Sequence, residues 1–364
     1  MAHLTRRALG SGLATGLALS PITARAETPG AILSSGFIFE TAPYPEAHAS
    51  TIVESGDGGL VAAWFGGTKE RNPDVDIWVA RFWGGRWSPP VSVADGVQPD
   101  GSRYPTWNPV LFQPPGGDLI LFYKVGPTPQ DWWGMAMASS DGGRSWSAPY
   151  RLPDGVLGPI KNKPLVLADG AWLSPSSVEL AEGVGAGAGA GWTLHFERSG
   201  DRGRTWTASP PVPSPLNIDA IQPSILTHRD GALQAVARTR QGALASTWSR
   251  DGGRTWSALA AIDLPNPNSG TDAVTLSDGR QLIIYNHSAH VAETPGKGPR
   301  WPLNLALSDD GVSWRRVLTL ETEPLPSGYA YPAIIQTSDS LVHLTWTHDR
   351  KRIRHAVVDP RRLG

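Results

Sequence analysis

Residues 249–256 read SRDGGRTW, and this short stretch decides the interpretation of the whole sequence because it recurs. The pattern Ser-x-Asp-x-Gly-x-(Ser/Thr)-Trp is met in full at 139–146, 199–206 and 249–256, with a shorter relative, SDDGVSW, at 308–314 and a worn copy, WGGRW, at 83–87. The tryptophans that close these boxes follow one another at intervals of 50 to 60 residues. A period of this length is typical of a solenoid or a propeller.

The residue types of the box indicate a structural turn. The Asp carboxylate can accept backbone N–H groups within the turn, the Gly can adopt a positive φ, and the Trp can pack between neighbouring repeats. We therefore interpret the boxes as scaffold and exclude them from the candidate site.

A second repeat lies between the boxes. Six segments each combine a polar residue, an apolar strand, a turn with Gly or Asp and a second apolar strand, and they begin at His48, Asn108, Asn162, Gln222, Asp272 and Tyr331. A further strand and a box follow most of these hairpins, which predicts an all-β fold, a six-bladed β-propeller with four-stranded blades and Asp-box turns. The last repeat lacks a box, so we expect residues 36–43 (GFIFETAP) to supply its outer strand and close the ring.

Residues 1–26 have the features of an export signal of the twin-arginine type. A Thr-Arg-Arg-Ala-Leu segment precedes a Gly-rich apolar run too short to span a bilayer, and Ala-Arg-Ala stands before Glu27. We expect cleavage to leave one propeller domain, residues 27–364, in the periplasm or outside the cell. The Gly-Ala segment at 183–191 is interpreted as a flexible spacer.

Composition excludes several classes of protein. Without residues 1–26 the chain has 29 basic and 33 acidic residues, a formal net charge of −4, which argues against a nucleic-acid partner. The sequence contains no cysteine, so apolar packing must stabilise the fold without disulfides. We expect a monomer with no membrane span.

The first strand of each propeller blade lines the central axis, so the polar residues that begin the six hairpins should converge at one end of it. A second ring is expected from the returning strands, and it comprises Lys124, Ser177, Arg238 and Asn286. Buried polar groups are unfavourable unless they are paired, so this convergence predicts a binding pocket. For Asn108, Asn162 and Ser177, hydrogen bonds that tie adjacent blades are an equally good interpretation.

These boxes and hairpins resemble those of the sialidase (neuraminidase) superfamily along essentially the whole mature chain. The resemblance implies an arginine clamp for a sugar carboxylate, a nucleophilic tyrosine and an aspartic acid on a first-blade loop. Tyr331 in YAYPAII, Arg238 in AVART and Arg300 in RWPLNLALSDDG match the tyrosine and two of the three arginines. Asp74 or Asp76 in KERNPDVDIW matches the acid.

Two positions depart from that family pattern. His48 stands where the first arginine is expected, and Gln222 stands where a glutamate would assist the tyrosine. Glutamine cannot take a proton, which leaves three functions open. The first is sialidase-type hydrolysis of a terminal acidic sugar; the second is cleavage at a rhamnose- or hexose-capped uronate, with His48 or Tyr331 abstracting a proton; the third is glycan binding without catalysis.

Other side chains are secondary candidates for the same pocket. Trp107 immediately precedes Asn108 and is assigned to substrate binding together with Asn162, Lys124, Asp272 and Asn286. Tyr104, Trp132 and Trp133 could stack on sugars or pack between blades, and Lys161 and Lys163 flank Asn162. No metal-ligand spacing or phosphate-binding loop is recognisable, so we expect no cofactor and no catalytic metal.

Overall fold

The computed structural model describes residues 30–180, 191–290 and 297–364. The predicted export signal at 1–26 lies outside the described residues, as does the spacer at 183–191 except for Gly191. No helix in the described ranges is both long enough and apolar enough to cross a bilayer.

The described strands form six antiparallel sheets, which are the six blades of a β-propeller. The first strand of the chain, β1 (Ile32–Phe37), belongs to the last blade. Blade 1 contains β2 (Glu46–Glu54), β3 (Leu60–Gly67), β4 (Asp76–Trp83), β5 (Arg86–Trp87) and β6 (Val91–Ala94). Blade 2 contains β7 (Thr106–Phe112), β8 (Leu119–Val125), β9 (Trp133–Ser139) and β10 (Tyr150–Arg151). Blade 3 contains β11 (Leu165–Val166), β12 (Trp172–Glu179), β13 (Trp192–Ser199) and β14 (Thr207–Ala208).

The remaining three blades follow the same order. Blade 4 contains β15 (Ala220–Thr227), β16 (Leu233–Thr239), β17 (Ala243–Ser249) and β18 (Ala260–Pro265). Blade 5 contains β19 (Asp272–Thr275), β20 (Gln281–Asn286), β21 (Leu303–Ser308) and β22 (Arg315–Glu321). Blade 6 contains β23 (Tyr329–Gln336), β24 (Val342–His348) and β25 (Arg352–Val358), and a 3-10 turn at Pro360–Arg362 follows.

The ring is closed by an N-terminal strand, as predicted, but the segment that closes it differs from the prediction. Strand β1 pairs with β25 from Ile32 opposite Val358 to Phe37 opposite Arg354, so the strand ends near the start of the predicted 36–43 segment. Ile38 and Phe39 instead pack into the core with Trp64. An outermost strand exposes most of its side chains, which suits Ser34, Ser35 and Gly36 of β1 better than the apolar pair that follows the strand.

Blade 1 departs from the predicted four strands. Both β5 and β6 pair with β4, so this sheet has five strands, and its outer strand is divided into two short pieces. Pro89 and Pro90 lie between the two pieces. Proline cannot donate to a β ladder, which explains why the outer strand is interrupted there.

The Asp boxes form self-contained turns at the outer ends of the blades. In the box at 249–256, Asp251 accepts the backbone N–H groups of Arg254 (3.0 Å) and Thr255 (2.9 Å). Gly253 has a φ of 79°, which favours glycine. The Trp256 ring stacks on Phe196 of the preceding blade, with centroids 3.8 Å apart. Each box thus stabilises its own turn and fastens one blade to the next.

Candidate functional site

The innermost strands of blades 2, 4 and 6 are bulged, and each bulge begins at a residue that the sequence predicts for the axial pocket. Asn108, Gln222 and Tyr331 are each the first residue of a two-residue register shift, and each precedes a proline. Their φ angles are 37°, 59° and 48°, a left-handed conformation that is uncommon for residues other than glycine. Such strain is concentrated at functional sites.

Blade 1 has the same bulge, but its residues are offset from the sequence prediction. The left-handed position is taken by Ala49, with a φ of 58°, and not by His48. His48 instead occupies the ladder position that corresponds to Trp107 in blade 2 and to Ile221 in blade 4. The six hairpin starts are therefore not equivalent positions, because the hydrophobic pattern does not reveal where a bulge inserts its extra residue.

Tyr331, Gln222 and Arg238 form one hydrogen-bonded group. The phenol oxygen of Tyr331 accepts from Gln222 Nε2 at 3.2 Å and from Arg238 Nη1 at 3.4 Å. Arg238 Nη1 also donates to Gln222 Oε1 (3.2 Å), and Arg238 Nε donates to Asn268 Oδ1 (2.9 Å). The phenol oxygen is thereby held in place while its own O–H remains available to another acceptor.

His48 packs against this group as a buried, unpaired base. Its ring centroid lies 4.5 Å from that of Tyr331, and neither of its buried ring nitrogens has a hydrogen-bond partner among the residues that the structure describes. Burial lowers the pKa of His48 well below its usual value, and the charges of Arg350, Arg300, Arg238 and Lys161 lower it further. The imidazole is therefore held neutral, a form in which one ring nitrogen can accept a hydrogen bond.

Two further arginines lie beside this base. Arg300 precedes β21, and Arg350 lies in the turn between β24 and β25 with a φ of 55°. Together with Trp301 and Ser327 they border a cavity of about 430 Å³. Burial and, to a smaller extent, the charge of Arg238 lower the pKa of Arg300 to about 10. Three guanidinium groups thus share one electrostatic environment.

Arg350 is a site residue that sequence reasoning missed. Its Nη1 donates to Glu70 Oε2 at 2.6 Å, so a carboxylate on the β3–β4 loop orients it. The surrounding sequence, HDRKRIRH, is dense in charge and resembles an ordinary exposed turn. Its position two residues after the final inner hairpin was the one available signal.

Lys161 lies beneath the site as a structural cation. Its Nζ donates to Thr271 O and Asn162 Oδ1, each at 2.9 Å, and to Pro332 O, which joins blades 3, 5 and 6. Burial lowers the pKa of Lys161 to about 7, although the charge of Asp272 opposes this. Its Nζ also lies 6.0 Å from the centroid of the Tyr331 ring.

Several predicted substrate ligands are instead bonded into the frame. Both carboxylate oxygens of Asp272 accept from Lys163 Nζ (3.0 and 2.9 Å), and one of them also accepts from Ile334 N (3.0 Å). Asn162 Nδ2 donates to Gln222 O at 2.9 Å, and Ser177 Oγ accepts from Gln222 N at 3.2 Å. For Asn162 and Ser177 the geometry matches the alternative interpretation, in which their hydrogen bonds join adjacent blades.

Asn286, Lys124 and Trp107 are likewise buried in bonded positions. Asn286 accepts from Ser269 Oγ (2.6 Å) and donates to Tyr329 O (3.2 Å). Lys124 has the ladder position that Arg238 has in blade 4, yet its Nζ donates to Pro159 O at 2.8 Å. Burial lowers the pKa of Lys124 to about 7.

The aromatic residues before and after Asn108 pack among themselves. Trp107 Nε1 donates to Gly126 O at 2.8 Å, and its ring contacts that of Trp132 with centroids 5.9 Å apart. Tyr104 and Trp133 form another such pair, at 5.6 Å. Asn108 itself is buried, and its side chain forms no hydrogen bond with the described residues.

The two predicted acids of the first blade do not contact the group around Tyr331. Asp74 is exposed and accepts from Thr68; these bonds outweigh burial and lower the pKa of Asp74. Asp76 accepts from Arg103 Nη2 at 2.7 Å and from Ser92 Oγ at 3.2 Å, although burial raises the pKa of Asp76. Both carboxylates are thus hydrogen-bonded to neighbouring side chains, and their assignment as the acid stays a prediction.

Comparison with known proteins gives a family match and a fold match. A family model described as a BNR repeat-like domain matches residues 58–344. A search among curated proteins finds no match.

Solved structures similar to this chain include a protein of unknown function from Dyadobacter fermentans (TM-score 0.71, 18% identity, covering 90% of this chain and 98% of that one). The NanB sialidase from Streptococcus pneumoniae superposes with a TM-score of 0.67 at 15% identity, covering 90% of this chain and 71% of that one. The intramolecular trans-sialidase from Ruminococcus gnavus gives 0.67 at 13% identity, covering 92% and 99%. At such identities the likeness shows the fold alone.

Proposed function

Because this chain belongs to the BNR repeat-like domain family, on a propeller fold shared with sialidases, we propose that it is a glycoside hydrolase that removes a terminal acidic sugar from a glycan. The observation that carries this proposal is the convergence of Arg238, Arg300 and Arg350 around Tyr331 and His48. Guanidinium groups bind carboxylates through paired hydrogen bonds, and a cluster of three is suited to an anionic ligand.

The arginine cluster compensates for the histidine at position 48. In the resemblance described above, His48 replaces one of three arginines, which would leave a clamp of two. Arg350 supplies a third guanidinium from blade 6, and Glu70 holds it there. The number of cations is thus maintained although the sequence position has changed.

Catalysis would depend on Tyr331 and His48. A neutral phenol can attack an anomeric carbon that bears a carboxylate without the repulsion an anionic side chain would meet. Gln222 can hold the phenol oxygen but cannot take its proton, so we assign that proton to the imidazole of His48, whose ring packs on that of Tyr331. A bound carboxylate would offset the arginine charges that lower the pKa of His48. Water would then release the sugar from the tyrosine, and the overall reaction adds one water across the glycosidic bond.

Elimination at a uronate is a second candidate, and the same neutral His48 favours it. With the carboxylate bound by arginine, the adjacent C–H becomes more acidic, and an imidazole can abstract that proton. The C–O bond at the neighbouring carbon then breaks, a C=C bond forms and the leaving oxygen takes up a proton, so that no water is added overall. The predicted export signal would bring either activity to glycans in the periplasm or outside the cell.

The test is a screen of the purified protein against sialosides and against rhamnose- and hexose-capped glucuronides, with the mass of each product recorded. Hydrolysis gives a saturated sugar that has gained one water. Elimination gives an unsaturated uronate that absorbs ultraviolet light. Binding of acidic sugars in calorimetry without turnover of any substrate would contradict both and support a glycan-binding propeller.

A further inference from the structure

Hydrolysis in the axial pocket needs a residue that transfers a proton to the leaving group, and the carboxylates of blades 1 and 5 already have partners. Asp74 and Asp76 are engaged on the first-blade loop, Glu70 pairs with Arg350, and Asp272 is bonded to Lys163 and to backbone amides. A carboxylate that faces the pocket from another blade and has no such partner would fill this role.

Glu179, the last residue of β12 in blade 3, meets these requirements. Alternate residues of a strand share one face, so Glu179 emerges on the same side as Ser177. Ser177 Oγ accepts from Gln222 N at 3.2 Å, which places that face of β12 against the blade that carries Gln222 and Arg238. Glu179 therefore extends toward the open end of the pocket, two residues beyond the hydrogen bond between Gln222 and Ser177.

The cross-strand neighbour of Glu179 gives a second, independent placement. Glu179 lies opposite Trp192 on β13. The Trp192 ring centroid is 5.5 Å from Arg238 Cζ and 4.1 Å from Arg240 Cζ. Because Arg238 also donates to Tyr331, Glu179 lies on the edge of the hydrogen-bonded group that contains the phenol.

The surroundings of Glu179 favour a proton-transfer role. The side chain is partly buried and forms no hydrogen bond with any described residue. Burial raises the pKa of Glu179 and the negative charge of Glu70 adds to this, while Arg238, Arg240 and Arg71 oppose it. Its charged neighbours thus come from both the β3–β4 loop and blade 4.

We propose that Glu179 is the catalytic acid–base residue of this pocket, a role that rests on the hydrolase function proposed above. The carboxylic acid of Glu179 gives its proton to the glycosidic oxygen as the bond from that oxygen to the anomeric carbon breaks. A water then attacks the anomeric carbon, and one of its protons returns to the carboxylate. Atoms balance with one water consumed per bond cleaved.

The experiment compares Glu179→Gln with the wild type on paired substrates that share one acidic sugar, a methyl glycoside and a 4-nitrophenyl glycoside, for sialic acid and for glucuronic acid. The methyl leaving group needs a proton and nitrophenolate does not. We expect kcat/KM of Glu179→Gln to fall by about 100-fold or more on the methyl glycoside and by less than about 10-fold on the nitrophenyl glycoside. The alkaline limb of the pH–rate profile should disappear in the variant, because glutamine has no proton to lose.

Glu40→Gln is the matched control, since Glu40 lies at the surface in an ion pair with Arg352, and it should behave as wild type on both substrates. Equal losses on both leaving groups, or an unchanged pH profile, would show that Glu179 acts only in folding or binding and would overturn the inference. If the selective loss on the methyl glycoside appeared in Asp76→Asn and not in Glu179→Gln, the acid would lie on the first-blade loop and the inference would be wrong. A wild type inactive on all four substrates would instead refute the proposed function and this inference with it.

Discussion

Charged side chains have opposite surroundings at the rim of the propeller, where the Asp boxes lie, and at the end of its axis, where Arg238, Arg300 and Arg350 lie. At the rim, Asp251 accepts two backbone amides and the hydroxyls of Ser249 and Thr255 from its own turn. At the axis, Arg300 forms no side-chain hydrogen bond with the described residues and lies in the fields of Arg238 and Arg350. The rim charges are satisfied locally and stabilise the fold, whereas the axial charges favour an anion supplied from outside.

The comparison also explains why repetition and function separate. A turn that satisfies its own carboxylate can be copied from blade to blade, because it needs nothing from its neighbours. The axial group combines Gln222 and Arg238 of blade 4, Tyr331 of blade 6 and His48 of blade 1. A site assembled from different blades cannot repeat in any one of them.

The largest effect should come from the axial hydroxyl. Tyr331→Phe keeps the ring that packs on His48 and removes the oxygen that Gln222 and Arg238 hold. We expect hydrolysis to fall by about 10³-fold or more, as for removal of a nucleophile, with little change in melting temperature. Full activity in this variant, measured on whichever acidic glycoside the wild type cleaves, would remove the phenol from the mechanism.

A rim tryptophan should show the reverse pattern. Trp256→Ala removes a buried ring that stacks on Phe196, and the free energy of unfolding should fall by about 3–5 kcal/mol. Activity per folded molecule should remain near wild type. The control is Trp83→Ala, since Trp83 is 56% exposed and its loss should change stability by less than about 0.5 kcal/mol. If Trp256→Ala had the wild-type free energy of unfolding in chemical denaturation, the division between a structural rim and a functional axis would be wrong.

Substitution of the axial arginines should have an effect of intermediate size on binding. Arg238→Lys keeps the charge but loses the planar fork, and Arg350→Ala removes the guanidinium that Glu70 orients. Each should weaken acidic-sugar binding by about 1.5–3 kcal/mol, or roughly 10- to 150-fold, in titration calorimetry. A neutral analogue of the same sugar should bind both variants and the wild type alike. Unchanged affinity for the acidic sugar in both variants would contradict the clamp.

Away from the pocket, a buried histidine pair should make the fold sensitive to acid. His355 Nε2 lies 3.0 Å from His343 Nδ1, and its Nδ1 accepts from Trp87 Nε1 at 3.3 Å. Burial and, to a smaller extent, the charge of His343 lower the pKa of His355 to about 3. The unfolded chain therefore binds this proton first, so stability is present above pH 6.5 and is lost as the pH falls toward 3.

Replacing His355 with Asn should flatten this dependence. The expected change in slope is at most about 1.4 kcal/mol per pH unit for one proton, read from urea melts between pH 7 and 4. The pH–rate profile at the axial site should stay the same, because His355 contacts His343 and Trp87 and none of the pocket residues. An unaltered stability slope would show that this histidine pair does not govern acid unfolding.

The sequence alone was sufficient for the six blades, because box spacing and hairpin pattern are local features that repeat along the chain. It also indicated that Gln222, Arg238 and Tyr331 share one pocket, and their side chains do lie within hydrogen-bond distance of one another. Where a pattern is periodic, or a resemblance assigns a position, one chain carries enough information.

Tertiary structure decided the rest, since it depends on which blades face each other. Nothing local distinguishes Lys124, bonded to Pro159, from Arg238, bonded to Tyr331, although the two hold the same ladder position. Arg350 and Glu179 lie in a charged turn and at a strand end that resemble ordinary surface sequence, and closure of the ring is what brings them toward the axis. Local interactions specify the repeated unit, whereas the pocket arises from contacts between residues far apart in the chain, such as His48 and Tyr331.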